Sequence, residues 1–475
     1  MKLLFLSFDY LTQPLGIATL AAELQLAGHQ AEVAALDDHA RQEKLLRDFE
    51  PAILCLSLIT GQHPLFLERA RQIKAVHPHL LVLAGGPHPT FYPECIDDPC
   101  IDAICRGEGD IALPTLVDVV ERSGSLPPAL ANWWIKQPDG TVSRSEVAPL
   151  VAELDRLPFP DRSIFDRART GERPVTVFVM TSRGCPFDCS YCFNHAYREL
   201  YQGEGRVCRR RSVEHVVAEI SRLRTEYPLQ MVVFQDDTFN LDKQWLQSFS
   251  EMYAKEVRLP FHCHLRADLL DEPAVHLLRK AGCISVKLGL EAGREQVRNG
   301  ILKRGMTLEQ FETACALLHR NGIRFATENI LGVPGTSLDD DLCTYEVNRR
   351  VRPQHTFASL MQVYPGTGIA DYVLQRGFAT KPVTDFPATF YEDSAVIISD
   401  KEKRGRLRAV FAFGVSLYLP VAVIRLLLML PLRKMYEFSD RLWKGYCLRF
   451  RIYPYRQSPA SFITDVRTYL AGKYY

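Results

Sequence analysis

The chain has 475 residues, 57 of them Lys or Arg and 56 Asp or Glu, for a formal net charge of +1. That even balance speaks against a nucleic-acid partner, which would select an excess of basic groups. Apolar residues at 47% and charged residues at 24% exclude a disordered or fibrous chain. The length exceeds what one ordinary core organises, so two large domains with additions are expected.

The N-terminus, MKLLFLSFDY, has too few apolar residues before Asp9 for a secretory core and reads as a first strand. The 13 cysteines show no framework spacing, so the expectation is a cytoplasmic chain with reduced thiols open to metal chemistry. Residues 1–125 alternate apolar runs at 2–8, 31–35, 53–58, 80–84 and 103–105 with helical patterns such as 16–27 and 64–76. Continuous runs separated by helices predict parallel strands in an open, doubly wound sheet, which binds ligands at its C-terminal strand ends.

Residues 126–172 are rich in proline (Pro127, Pro128, Pro138, Pro149, Pro158, Pro160), with Asp139-Gly140 as a turn. They read as a linker segment, partly β. From 173 to 375 strand candidates recur at 175–181, 231–235, 261–266, 284–290, 325–331 and 357–363, with helices between, as at 213–227 and 308–321. Six βα units predict a partial (β/α)6 barrel with its site at the C-terminal strand ends. Residues 376–475 read as a mostly helical, partly apolar region. Its run VFAFGVSLYLPVAVIRLLLMLPL, from 410 to 432, is interrupted by Pro420 and Arg425 and is a poor membrane span. A buried helical pair is expected; an interfacial helix, or a cover over an apolar substrate, is the alternative. The basic runs Arg209-Arg210-Arg211 and 401–408 read as solvated faces.

The chemistry concentrates in MTSRGCPFDCSYCFN. Cys185, Cys189 and Cys192, spaced C-x3-C-x2-C, follow the first strand of the second domain. Three thiolates on one loop hold three corners of a [4Fe–4S] cluster and leave one iron open to a ligand. Gly184 and Pro186 help the loop turn. A structural zinc site competes, but the nearest further ligands, His195 and Cys208, form no paired knuckle.

This motif, with Tyr191 as the aromatic before its last cysteine, resembles the radical S-adenosylmethionine (SAM) superfamily. The segments HLRAD, GLEAG, LKRGMT, ILGVPGT and YPGTGIADY at successive strand ends are similar to that superfamily's motifs. The resemblance implies that Cys185, Cys189 and Cys192 carry the [4Fe–4S] cluster and that SAM chelates its open iron. By the same resemblance Arg266 pairs with the SAM carboxylate, Glu291 and Asp236 take its amine or ribose, and Gly332 lets the backbone approach the adenosine. The usual amine-binding Gly-Gly-Glu is replaced by Gln235-Asp236-Asp237, a departure.

The N-terminal features PLGIATLAAELQLAGHQAEV, SLIT, LAGGPHPT and ICRGEGD resemble the Rossmann-like (flavodoxin-like) cobalamin-binding domain of B12-dependent radical SAM enzymes. Ser57, Thr60, Gly85, Gly86, His88, Gly107 and Glu108 are then the expected cobalamin contacts. The loop FDYLTQPLG lacks the D-x-H-x-x-G histidine of many cobalamin proteins, leaving His63 and His88 as the neighbouring imidazoles. No G-x-G-x-x-G follows strand one and no G-x4-G-K-[ST] occurs.

Together these resemblances imply a cobalamin-dependent radical SAM C-methyltransferase. It would methylate an unactivated carbon with a 5′-deoxyadenosyl radical and methylcobalamin. Two alternatives stand beside it: a ring-forming or oxidative enzyme on the same cofactors, such as the anaerobic magnesium-protoporphyrin ester cyclase group, and a non-catalytic metal- and corrinoid-binding protein. The expected partners are a small, hydrophobic substrate, an electron donor such as flavodoxin or ferredoxin, and a membrane surface touched through 406–434.

Overall fold

The computed structural model describes residues 1–454 except 9, 11–12, 169–172, 365, 380–393, 395 and 397. Parts of three expectations therefore lie outside the described residues: the FDYLTQPLG loop, the YPGTGIADY segment at Pro365, and much of 376–475. The chain forms two compact units, one of residues 1–171 with 197–209, the other of 172–196 with 210–475.

The first unit is built on a seven-stranded sheet. Its strands are β1 (Lys2–Ser7), β2 (Gln30–Ala35), β3 (Ile53–Ser57), β4 (Leu81–Gly85), β5 (Ala103–Cys105), β6 (Trp133–Lys136) and β7 (Val142–Arg144). They run in the order β2-β1-β3-β4-β5-β6-β7. The first five are parallel, as the apolar runs imply. Those runs are continuous because both faces are covered. Leu3, Phe5, Val33 and Cys55 bury against α1 (Leu15–Leu26) and α5 (Ala112–Ser123). Leu4, Leu6, Leu54 and Val82 bury against α3 (His63–Val76) on the other side. The remaining helices of this stretch are α2 (His39–Asp48), α4 (Pro87–Phe91) and α6 (Ser163–Ala168). The segment expected as a linker supplies β6 and β7, which extend the sheet antiparallel through a turn at Asp139-Gly140.

The second unit contains the short strands β9 (Ser182–Arg183) and part of β10 (Arg209–Arg210), and a six-stranded parallel sheet. The sheet strands are β8 (Thr176–Val179), β11 (Met231–Phe234), β12 (Phe261–Leu265), β13 (Cys283–Glu291), β14 (Arg324–Leu331) and β15 (His355–Leu360), neighbouring one another in chain order. Helix α7 (Phe193–Leu200) follows the cysteine loop. Helices α8 (Val213–Glu226), α9 (Lys243–Glu256), α10 (Glu272–Ala281), α11 (Leu308–Arg320) and α12 (Leu338–Val351) supply the crossovers. Their ends are set by local chemistry. Asp271 caps α10 at Ala274 N–H, left-handed Gly282 ends it, and Thr307 with Gln310 forms a capping box on α11. Phe234, Phe261, Cys263, Val286, Leu288 and Phe325 point into the core beneath these helices. Strand alternation then turns His262, His264, Ser285, Lys287, Glu328 and His355 to the concave face.

Helices α13 (Gly368–Gln375), α14 (Lys401–Ser416), α15 (Val421–Met429) and α16 (Arg433–Cys447) complete the unit. Helix α14 packs on β15, α12 and α16. A π-turn, Leu448–Ile452, reaches the concave face, where Ile452 O accepts from Ser285 Oγ at 2.8 Å.

Candidate functional site

The three cysteines sit in the loop beyond β8, entered through Gly184 in a left-handed conformation with φ of 83°. Ser190 fixes the middle of the loop: its N–H donates to Leu302 O at 3.0 Å, its hydroxyl to Ile301 O at 2.7 Å, and its carbonyl accepts from Ile369 N–H at 2.8 Å. Hydrogen-bond donors face the sulfurs. Asn194 Nδ2 lies 3.5 Å from Cys192 Sγ, and Thr238 Oγ1 lies 3.8 Å from Cys185 Sγ. Cys189 Sγ has two guanidinium neighbours, Arg304 Nη1 at 3.6 Å and Arg266 Nη1 at 3.9 Å. Burial pushes the Cys185 thiol up and the Cys192 thiol up to about 11. Bare thiolates are thus disfavoured here, and fixed cations and amide donors suit thiolates shared with a metal cluster. His195, the zinc alternative's further ligand, has its Nε2 committed to the Gly368 N–H at 3.0 Å.

Around this loop several of the expected SAM residues are engaged by the protein's own groups. Asp236 is fully buried, and its carboxylate accepts from Thr181 N–H at 3.1 Å, from the Thr181 hydroxyl at 2.7 Å and from the Ser182 hydroxyl. These bonds brace the start of the cysteine loop. Arg266 is likewise taken. Its Nε and Nη2 grip Asp268 in a bidentate pair at 3.0 and 2.9 Å, and its guanidinium lies 3.5 Å over the Phe187 ring. The space beside Gly332, which has φ of 69°, is filled: a Cβ there would meet Ile398 Cδ1 at 2.8 Å. The Gly332 N–H donates to Asp341, which pairs with buried Arg404 at 3.2 Å.

Sequence reasoning passed over Arg304, which lies in the quoted LKRGMT segment. Besides Cys189 it meets the Tyr191 hydroxyl at 3.5 Å, Gly289 O at 3.3 Å and Glu291 Oε1 at 4.0 Å. Its Nε is buried and has no hydrogen-bond partner in the structure. A buried, unpaired guanidinium N–H beside the cysteine loop fits the carboxylate of a bound SAM. Glu291 reaches this position through a register shift in β13 and a left-handed backbone with φ of 66°, uncommon for a residue with a side chain. Gly289 leaves the room, since a Cβ there would meet Glu291 Oε1 at 2.3 Å. Burial raises the Glu291 carboxyl to about 7, an effect that Arg304 opposes.

The concave face holds a second group that sequence reasoning passed over. Lys287 pairs with Glu328 at 3.2 Å and lies 4.9 Å over the Phe357 ring. The Glu328 side chain keeps 47% exposure on a strand flanked by β13 and β15, so its free surface faces the hollow of the sheet.

In the first unit Ser57, Gly85 and Gly86 lie at the C-terminal ends of the neighbouring strands β3 and β4. Gly86 has φ of 97°, and a Cβ there would come within 3.0 Å of Leu58 O. Small residues and a hydroxyl along this edge suit a flat macrocycle or its tail lying against the backbone. His88 is turned to another use. Its ring stacks on His63 at 3.8 Å and on Tyr92 at 5.0 Å, and its Nδ1 lies 3.1 Å from Thr60 Oγ1. Burial, with His63 beside it, lowers its pKa to about 3 and keeps it neutral. Gly107 and Glu108 are also occupied from within the unit. A Cβ on Gly107 would lie 1.8 Å from the Tyr201 hydroxyl, which accepts from Glu108 N–H at 2.8 Å. The Glu108 carboxylate grips Arg209 Nη1 and Nη2 at 3.0 and 2.6 Å.

Comparison with known proteins fits this arrangement. Residues 179–345 match the Radical SAM superfamily and residues 1–117 the B12 binding domain, together more than half of the chain. The chain belongs to the B12-binding radical SAM enzymes. An uncharacterised methyltransferase of Pyrococcus horikoshii is 28% identical to it, over 76% of this chain and 78% of the relative. The anaerobic magnesium-protoporphyrin IX monomethyl ester cyclase of Rubrivivax gelatinosus is 28% identical, over 72% of this chain and 62% of the relative. The radical SAM methyltransferase TsrM of Kitasatospora setae, solved with cobalamin and a [4Fe–4S] cluster, shares the fold with a TM-score of 0.68. The match covers 99% of this chain and 98% of that one at 16% identity. The cofactors of this family are a [4Fe–4S] cluster, SAM and cobalamin.

Proposed function

We propose that this chain methylates an unactivated carbon of a small-molecule substrate as a cobalamin-dependent radical SAM methyltransferase. When bound, the cluster and SAM would supply a 5′-deoxyadenosyl radical and the corrinoid a methyl group. The observation that carries the reading is the unpaired Arg304 Nε beside three loop cysteines, in a chain that also bears a B12-binding domain.

The protein's own part is holding and orienting. Cys185, Cys189 and Cys192 would carry the cluster, with Arg266 and Arg304 placing positive charge at Cys189. Arg304 would take the SAM carboxylate, the role expected of Arg266, whose fork is spent on Asp268. Glu291, poised near neutrality, would accept from the SAM amine or ribose, with Tyr191 closing the same corner. Asp236 would position the loop without touching a ligand. In the first unit Ser57, Gly85 and Gly86 would meet the corrinoid, while Thr60, His88, Gly107 and Glu108 shape the loops behind it. Each turnover would draw two electrons from a donor such as flavodoxin or ferredoxin, one for SAM cleavage and one to return the corrinoid to the state that a second SAM can methylate.

The test is anaerobic reconstitution with iron, sulfide and cobalamin, followed by analysis of SAM products during turnover. Methyl transfer yields S-adenosylhomocysteine and 5′-deoxyadenosine in equal amounts and a product heavier by one CH2. A ring-forming reaction, the second reading, yields 5′-deoxyadenosine without S-adenosylhomocysteine; the cyclase match spans less of its relative than the methyltransferase match does. A protein that binds zinc and never cleaves SAM overturns both.

A further inference from the structure

We propose that the outer face of α15 and α16 is a docking surface for an anionic lipid bilayer, lying in the plane of the headgroups. The apolar run from 410 to 432 divides in the fold. Its first part belongs to α14, where Val410, Phe411 and Val415 are buried in the core. On α15 the apolar side chains divide: Ile424 and Leu428 are buried, whereas Leu426 and Met429 are 62% and 74% exposed. Helix α16 continues the surface. Met435, Phe438, Leu442 and Tyr446, with Phe450 in the turn just beyond, are all about half exposed and recur every three or four residues, so they share one face. An exposed apolar stripe on this scale marks an interaction surface.

Charge selects the occupant. Lys434 and Arg441 are exposed among these side chains, as is Arg425, whose guanidinium pairs with Asp339 at 2.6 Å. The acidic residues between 417 and 450 are Glu437 and Asp440, and both are committed inward. Glu437 pairs with Arg433 at 2.9 Å and Arg408 at 3.3 Å, and Asp440 lies 3.9 Å from Arg408. Lys434 and Arg441 beside an apolar stripe, with the nearby acidic groups Glu437 and Asp440 turned to Arg433 and Arg408, match phosphate headgroups over acyl chains. A second copy of the chain would instead set Lys434 and Arg441 against like charges. No helix among the described residues is long and apolar enough to cross a membrane, so the contact is in-plane. The contact lies at 417–450, where the sequence had suggested 406–434.

The experiment is flotation of the full-length, reconstituted enzyme with vesicles of phosphatidylcholine containing phosphatidylglycerol, and with phosphatidylcholine alone. The wild type should float with the anionic vesicles, less with the neutral ones, and less as salt rises. The exposed double variant F438E/L442E should lose about tenfold in partitioning, with SAM cleavage and melting temperature unchanged. K434E/R441E should lose the preference for anionic vesicles. A wild type that floats with neither vesicle, or a double variant that floats like the wild type, overturns the proposal. So does a lipid-independent dimer that F438E/L442E dissolves, which would make the face a self-interface. None of these outcomes depends on whether methyl is transferred.

Discussion

The two strand-end regions began with similar credentials in the sequence and fared differently in the fold. At the barrel-like sheet, one loop of eight residues presents all three cysteines, and the fold adds Arg266 and Arg304 around Cys189. At the first sheet, residues collected from three strand ends divide. Ser57, Gly85 and Gly86 stay at the edge, whereas His88 is sandwiched between His63 and Tyr92, and Gly107-Glu108 is held by Tyr201 and Arg209. A ligand set carried on a contiguous loop keeps its composition through folding. One assembled from separated loops is open to capture by the protein's own side chains, because unpaired polar groups and open backbone are costly to leave buried.

The sharpest way to break the comparison is Cys189→Ala, which should abolish 5′-deoxyadenosine formation and cluster absorbance while the first unit stays folded. Retained SAM cleavage would remove the cysteine loop from the chemistry. Next in size, Arg304→Met should weaken SAM binding about 10–100-fold, by analogy with residues that support metal sites. Arg266→Met should act mainly on loop stability through loss of the Asp268 pair. Equilibrium binding of SAM to the reconstituted protein separates them, and a larger binding loss at Arg266 would restore the role read from the sequence.

In the first unit, Gly107→Ala should cost about 2 kcal/mol or more, since the methyl collides with Tyr201 from a left-handed backbone. Gly85→Ala, with Cys105 Cβ 3.7 Å away, should cost about 1 kcal/mol or less. Denaturant unfolding followed by the first unit's tryptophans checks both; equal costs would mean Tyr201 yields freely. The smallest effect is the slope of stability with pH. His88 is held neutral in the fold with a pKa of about 3, well below its usual 6.5. The unfolded chain therefore takes up the proton first as pH falls, and the stability this group contributes is lost between about 6.5 and 3. His88→Gln should flatten that part of the first unit's acid unfolding curve, and an unchanged curve would show that His88 is not buried as neutral imidazole.

The strands of both sheets were legible because parallel strands covered on both faces leave uninterrupted apolar runs such as Ile53–Ser57 and Met231–Phe234. The extra strands Trp133–Lys136 and Val142–Arg144 were partly hidden by the prolines around them. In the apolar stretch from 410 to 432 the hydropathy was legible but not its destination, since α14 and α15 read alike and only packing on β15 and α12 buried the first.

What the sequence determined by itself was local: alternation of strand and helix, a left-handed glycine, and three thiols on one loop, all fixed by interactions within a few residues. Tertiary structure decided which of two arginines keeps a free N–H, that Ile398 fills the room beside Gly332, and that Tyr201 stands over Gly107. Those outcomes join side chains tens of residues apart. They follow from competition for space and hydrogen bonds in a close-packed interior, which no pattern along the chain encodes residue by residue.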